Sequence, residues 1–209
     1  MKNIKNIVVA LFIGLLLVSC NEEQTVEKEL NQGQLVLQLG SNQRTSQDVN
    51  NYGLKVENAA GEVVLSYEKI SDAPEKINLA IGDYTVKVAS ADEMPYFTFD
   101  APYYYGDKQC TINSGEETVV DIVCALKHVK LTVNFDGQIT ETAKSYEAVI
   151  QSAHGEITID ASTANIVYAE RSALVISTTI EKEDGSVVKN KQIVSGLETQ
   201  SEYTLNISY

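Results

Sequence analysis

Phe99-Asp100-Ala101-Pro102-Tyr103-Tyr104-Tyr105-Gly106, and further on Ile122-Val123-Cys124-Ala125-Leu126-Lys127-His128-Val129-Lys130-Leu131-Thr132-Val133, form the stretch on which the fold is read. Apolar residues alternate at Val120, Ile122, Cys124 and Leu126, then again at Val129, Leu131, Val133 and Phe135. Alternation at period two marks a strand with one buried face. The parity changes between Leu126 and Val129, so the chain there either bulges or passes from one sheet to another. Lys127-His128 is therefore expected to be the seam between a first β-rich unit over residues 33–126 and a second over 127–209.

Outward from that seam the chain repeats itself. Leu35, Leu37 and Leu39 alternate as Val129, Leu131 and Val133 do, 94 positions later. At the same offset, Val56-Glu57-Asn58-Ala59-Ala60-Gly61-Glu62-Val63-Val64-Leu65 is matched by Ile150-Gln151-Ser152-Ala153-His154-Gly155-Glu156-Ile157-Thr158-Ile159. Both read as strand, small-residue turn, strand, with glycine where a hairpin turn favours a positive φ. Asp83-Tyr84-Thr85-Val86-Lys87-Val88 and Tyr203-Thr204-Leu205-Asn206-Ile207 each follow a glycine turn with a Tyr-Thr-apolar-x-apolar strand. Strands are expected near 34–39, 52–58, 62–67, 75–79, 84–90, 95–99, 108–112 and 118–126. In the second unit they are expected near 128–135, 146–152, 156–160, 165–169, 173–181, 187–194 and 202–208. Glu183-Asp184-Gly185-Ser186 supplies a hairpin turn.

The aromatic-Asp-x-Pro-Tyr segment with its nearby glycine, followed by Cys-x-Leu-x-x-Val-Lys-Leu-Thr-Val, resembles a Bacteroidetes lipoprotein family catalogued as domain of unknown function 4493 and related loosely to fimbrillin-like surface proteins. The resemblance runs over about residues 30–209. It implies an all-β fold of two tandem transthyretin-like or Ig-like antiparallel β-sandwiches at the outer membrane, in an adhesin or fimbrial component. It carries over no catalytic residue. Fimbrillin-like subunits are trimmed after a basic residue, and Arg44, in a polar loop after the first strand, is the candidate cleavage site that the resemblance implies. An uncut loop is the reading that fits an anchored subunit, since cleavage would detach the first strand together with the lipid.

The N-terminus reads as a lipoprotein signal. Lys2 and Lys5 precede an apolar run from Ile7 to Val18, too short to span a membrane and suited to a signal core. Leu17-Val18-Ser19-Cys20 resembles a lipobox, which makes residues 1–19 a signal peptide and Cys20 the lipidated mature N-terminus. Residues 20–32 have the polar composition of a flexible tether. Asn21-Glu22-Glu23 is similar to the acidic export signal that follows the lipidated cysteine in surface lipoproteins of this group.

The chain carries 16 Lys+Arg against 29 Asp+Glu; removing residues 1–19 takes away Lys2 and Lys5 and leaves 14 against 29, a formal charge of −15. A polyanion of this size argues against nucleic acid as a partner and against electrostatic attachment to anionic membranes, so the expected membrane contact is the lipid itself.

Candidate chemistry is sparse. His128 falls on the polar parity of its strand and His154 in a turn, so both are expected at the surface rather than on zinc. No Gly-x-Ser-x-Gly elbow exists, and no spaced Asp-x-Asp-x-Asp run points to calcium. No enzyme and no cofactor are expected. Cys110 and Cys124 flank a turn centred on Gly115, whose register sets them too far apart to bridge, so two free thiols are expected. Tyr96, Tyr103, Tyr104 and Tyr105, with Asp100, form the densest aromatic group. They read either as a ligand platform or as packing between the two units. A structural or adhesive surface protein, with other surface or fimbrial proteins as partners, is the first expectation; a glycan-binding lipoprotein in nutrient capture is the alternative.

Overall fold

The computed structural model describes residues 31–41 and 48–208. Cys20, the signal peptide, Arg44 and most of the tether lie outside the described residues.

The chain is built almost wholly from strands. In order they are β1 (Gln32–Ser41), β2 (Gly53–Asn58), β3 (Val63–Tyr67), β4 (Ile77–Ala80), β5 (Gly82–Ala89), β6 (Phe97–Thr98), β7 (Tyr104–Ile112) and β8 (Glu117–Leu126). After the break at Lys127-His128 come β9 (Val129–Phe135), β10 (Ala143–Gln151), β11 (Glu156–Asp160), β12 (Ile166–Ala169), β13 (Leu174–Lys182), β14 (Val187–Val194) and β15 (Glu202–Ile207). A short helix, α1 (Gly137–Thr142), was not expected; Asp136 caps it by accepting from the Ile139 N–H at 2.9 Å, and it buries Ile139. The second departure is at Tyr104-Tyr105, which open β7 ahead of the strand expected near 108–112.

Alternation builds two hydrophobic cores. Leu54, Val56, Val86 and Val88 from one layer meet Leu35, Ile122 and Cys124 from the other, all at most 4% exposed. Val129, Leu131, Ala148, Ile150, Val167 and Leu174 do the same in the second core. Around the first core lies a seven-stranded sheet in the order β3-β2-β5-β7-β8-β1-β4. Around the second lie two four-stranded sheets, β11-β10-β13-β14 and β15-β9-β12-β6. Strand for strand the two arrangements coincide: β2 matches β10, β3 β11, β5 β13, β7 β14, β8 β15, β1 β9 and β4 β12. The pairings are antiparallel except for β1 with β8 and β9 with β15, which are parallel in both halves.

The 94-position offset holds from Val56 to Ile150, each opposite the matching residue of β5 or β13. It drops to 92 across the following hairpin, where Leu54 pairs Tyr67 and Ala148 pairs Ile159. One residue comes from the bulge at Val56/Glu57 in the β2–β3 ladder and one from its turn, closed from Asn58 to Glu62 where the second half closes from Ser152 to Gly155. The halves differ in one junction. Tyr104 and Tyr105 of β7 pair Leu126 and Ala125 of β8, joining both layers of the first half into one sheet. Among the described residues no ladder joins β14 to β15, and each is an edge strand.

Candidate functional site

The outer face of the β3-β2-β5-β7 layer carries a cleft of about 750 Å³. Its floor follows from strand register. Gly53 of β2 lies opposite Ala89 of β5, and Ala89 lies opposite Tyr105 of β7, so two residues with little or no side chain sit beside a standing aromatic ring. Tyr103 and Tyr105 share a face because they are two apart, and their rings stack with centroids 6.4 Å apart at 13°. Lys127 Nζ lies 5.3 Å over the Tyr105 ring, a cation–π contact that holds it upright.

Both lysines that line the cleft are paired with carboxylates, Asp92 inside it and Glu57 outside it. Lys55 Nζ donates to Asp92 at 2.9 Å, and Lys87 Nζ sits 2.6 Å from both Glu57 carboxylate oxygens. The hydrogen bond to Glu57 holds the Lys87 ammonium above its ordinary range. Burial pushes the phenols of Tyr103 and Tyr105 upward, so both keep their protons at neutral pH and offer O–H donors. The cleft thus offers apolar ring faces, acceptors and donors, and both lysines that line it are paired with carboxylates.

The second half has a cleft in the corresponding place, of about 660 Å³. Register aligns Glu147 and Thr179 with Gly53 and Ala89. It also puts Val187 and Lys189 where the first half has Tyr103 and Tyr105. The fold is duplicated, whereas the stacked tyrosines and the bare floor belong to the first half.

The residues singled out in the sequence fall in three places. Tyr103 and Tyr105 come together in the cleft. Tyr104 points the other way, 9% exposed and stacked on Tyr52 in the first core. Tyr96 is exposed and stacks on His154 at 4.9 Å, and Asp100 is exposed away from the cleft. Phe97 and Phe99 pack against the second core, and β6 pairs β12. Cys110 and Cys124 are free thiols, half-buried and buried respectively. Sequence reasoning missed Gly53, Ala89, Lys55 and Lys87, because the cleft exists only through the register of three strands.

His128 corrects its expectation. It is fully buried, not exposed. It lies in the break between β8 and β9, where strand parity does not apply. Its Nδ1 accepts from the Tyr103 N–H at 2.9 Å, and its Nε2 contacts the Pro95 carbonyl at 2.8 Å. A nitrogen that accepts carries no proton, so the ring is neutral with its proton on Nε2, donated to Pro95. Burial holds its pKa below the usual histidine value. His154 is exposed as expected, with Nδ1 2.9 Å from Glu170. Among the described residues no group of three or more His, Cys, Asp or Glu is placed to hold a metal ion.

The profile of the domain of unknown function DUF4493 matches residues 14–209, and the chain belongs to that family. No curated protein matches. Solved structures with a similar chain path include a fimbrial assembly protein from Parabacteroides distasonis, 11% identical, covering 84% of this chain and 90% of that one with a TM-score of 0.49. A candidate cell adhesion protein from Bacteroides eggerthii is 12% identical, with coverages of 84% and 86% and a TM-score of 0.47. A candidate polysaccharide binding protein from Bacteroides thetaiotaomicron is 11% identical, with coverages of 83% and 90% and a TM-score of 0.45. At these scores the likeness is one of general architecture.

Proposed function

We propose that this protein is an outer-membrane lipoprotein facing the cell exterior, held by acyl chains on Cys20, and that it acts as an adhesive and structural component of the surface. Residues 33–126 and 127–209 act as two domains, the first carrying the binding face. The observation that carries the reading is the aromatic cleft: a concave, stiff, partly apolar face on a sheet whose duplicate in the same chain lacks its aromatic residues. Residues on a rigid scaffold that depart from their structural duplicate point to binding rather than packing. The lipobox-like Leu17-Val18-Ser19-Cys20 and the acidic stretch after it support anchorage and display. Capture of glycans for nutrition, the second reading, would use the same cleft.

Labelling with a clickable fatty acid and fractionation test the anchor. Cys20→Ala is expected to lose the label and leave the membrane fraction; equal labelling of the variant overturns the anchor. Shaving intact cells with protease is expected to remove the protein, and full protection overturns the exterior location. Adherence of cells to sibling cells and to mucin-coated surfaces is expected to fall with Gly53→Leu, which fills the trough. Unchanged adherence overturns the adhesive role of the cleft.

A further inference from the structure

Resting on the reading of the cleft as the binding face, we infer that it takes an uncharged oligosaccharide, with a sugar ring laid against Tyr103 and Tyr105 and its hydroxyls shared between the Lys55–Asp92 pair and Lys87, which Glu57 holds from outside the cleft.

Shape comes first. Gly53 and Ala89 lie side by side on adjacent strands and leave a flat strip of backbone next to the Tyr105 ring. A flat ligand seated on that strip meets the ring laterally. The volume, about 750 Å³, is within the range of roughly 300–1,000 Å³ typical of small-ligand sites. The ring faces carry the negative side of the aromatic quadrupole, which suits the polarised C–H face of a pyranose. The tyrosine pair is held by the sheet beneath it and by Lys127 above it, so little side-chain freedom is lost on binding.

Charge then selects among sugars. Lys55 and Lys87 are each neutralised by a carboxylate, and Glu68 also lines the cleft. Neither lysine that lines the cleft is left over for a carboxylated or sulfated ring, Lys127 being outside the lining with its ammonium over the Tyr105 ring, and the chain's formal charge of −13 adds long-range repulsion. A hydroxyl both donates and accepts, so one neutral sugar can donate to Asp92 and accept from Lys55 and Lys87 without breaking either ion pair. Anionic ligands would have to displace Asp92 or Glu57.

The second half supplies an internal contrast. Its matching cleft has Glu147 on the floor in place of Gly53, and Val187 and Lys189 in place of the two tyrosines. The strip is occupied and the tyrosine pair is gone, the one aromatic residue of that cleft, Tyr146, being packed on Phe135 at 4.6 Å, so a single saccharide site per chain is expected.

Full-length protein in a detergent without a sugar headgroup is titrated with maltotriose, mannotriose, xylotriose and N-acetylchitotriose, and with trigalacturonate as the anionic comparison. Calorimetry is read beside intrinsic tyrosine fluorescence, which is undiluted because the chain has no Trp. At least one neutral trisaccharide is expected to saturate one site, with trigalacturonate about tenfold weaker or more. The double substitution Tyr103→Ala/Tyr105→Ala is expected to weaken binding by about tenfold or more. Gly53→Leu is expected to abolish binding without lowering thermal stability, since a Cβ there meets its nearest atoms at ordinary distances of 3.6–3.8 Å. Absence of saturation by every neutral trisaccharide at millimolar concentration overturns the inference, as does equal binding of trigalacturonate or undiminished binding by Gly53→Leu. If Gly53→Leu cells lose adherence while no trisaccharide binds, the cleft stands as the binding face and the saccharide assignment falls. If trisaccharide binding is lost in that variant and adherence is not, the adhesive role falls and the saccharide site stands.

Discussion

His128 is expected to lock the segment from Pro95 to Tyr103 onto the start of β9, and its removal should be costly in a calculable way. The ring is fully buried and makes two hydrogen bonds, one to the Tyr103 amide and one to the Pro95 carbonyl. His128→Leu keeps most of the volume and leaves both backbone groups without the ring. Each such group costs about 1–3 kcal/mol when it stays dry. Tyr103 and Pro95 are half-buried, so water recovers part of this, and about 2 kcal/mol in all is the expected loss. His128→Ala adds a cavity the size of the imidazole, for a total of about 3–4 kcal/mol. Against a total stability on the order of 5–15 kcal/mol, either loss is plain in urea denaturation. The midpoint temperature for His128→Leu should drop by about 4–8 °C. The Tyr103 amide, protected in the wild type, should exchange with solvent faster in both variants. A His128→Ala protein within about 0.5 kcal/mol of wild type, with that amide still protected, would refute the reasoning.

The same bonds set a pH dependence. The folded ring must stay neutral, because Nδ1 accepts, and its pKa lies below the unfolded value of 6.5. Between those two values the unfolded chain binds more protons than the folded one, so stability falls as pH drops from 6.5 toward the folded pKa, then stops falling on this account. The ring faces the Tyr168 ring, the Pro95 carbonyl and the Tyr103 amide. The carboxylates with lowered pKa, Asp160 and Glu170 among them, titrate in a lower window, below their ordinary 3.8 and 4.5. His128→Leu should therefore flatten the slope just below pH 6.5 and leave the acid limb in place.

Two further outcomes are expected. Gly106→Ala would put a Cβ 2.6 Å from the Val123 carbonyl oxygen and 2.9 Å from the Ile122 side chain, where β7 crosses β8. It should destabilise the protein by about 1–3 kcal/mol in urea denaturation; a neutral result would mean that the two strands part easily. Alkylation at pH 8 followed by peptide mapping should modify Cys110 before Cys124, which is 4% exposed and whose thiol is pushed up to about 11 by burial. Equal rates in native buffer would show that the first core opens on the labelling timescale.

Period-two alternation made every strand legible to within a few residues, because each has one face on a core and side chains alternate strictly across it. What lay outside alternation was not legible. Helix α1 buries a single residue, Ile139, so no helical period marks it; the Asp136 cap was its one local sign. His128 was misread because parity was extended across a break. The parallel pairing of β1 with β8 and of β9 with β15 joins segments more than 70 positions apart, and no local pattern specifies such partners. For the same reason half of the cleft was visible: Tyr103 and Tyr105 are neighbours in sequence, while Gly53 and Ala89 reach them only through two ladders.

The parallel ladder between β1 and β8 has a mechanical meaning. Eight residues of β1, Gln34 to Ser41, run alongside Glu117 to Cys124 in the same direction. The N-terminal end of β1 is where the chain enters this half, and the C-terminal end of β8 is where it leaves for β9. A pull between those two points draws the strands lengthwise past each other, so the ladder bears the load in shear, all its bonds at once, instead of being peeled one by one from an end. The pair β9 and β15 repeats the geometry in the second half, with β9 entered from its N-terminal end and β15 left from its C-terminal end. A pull applied between the N-terminal end of β1 and the C-terminal end of β15 thus meets two clamps in series, each loaded in shear.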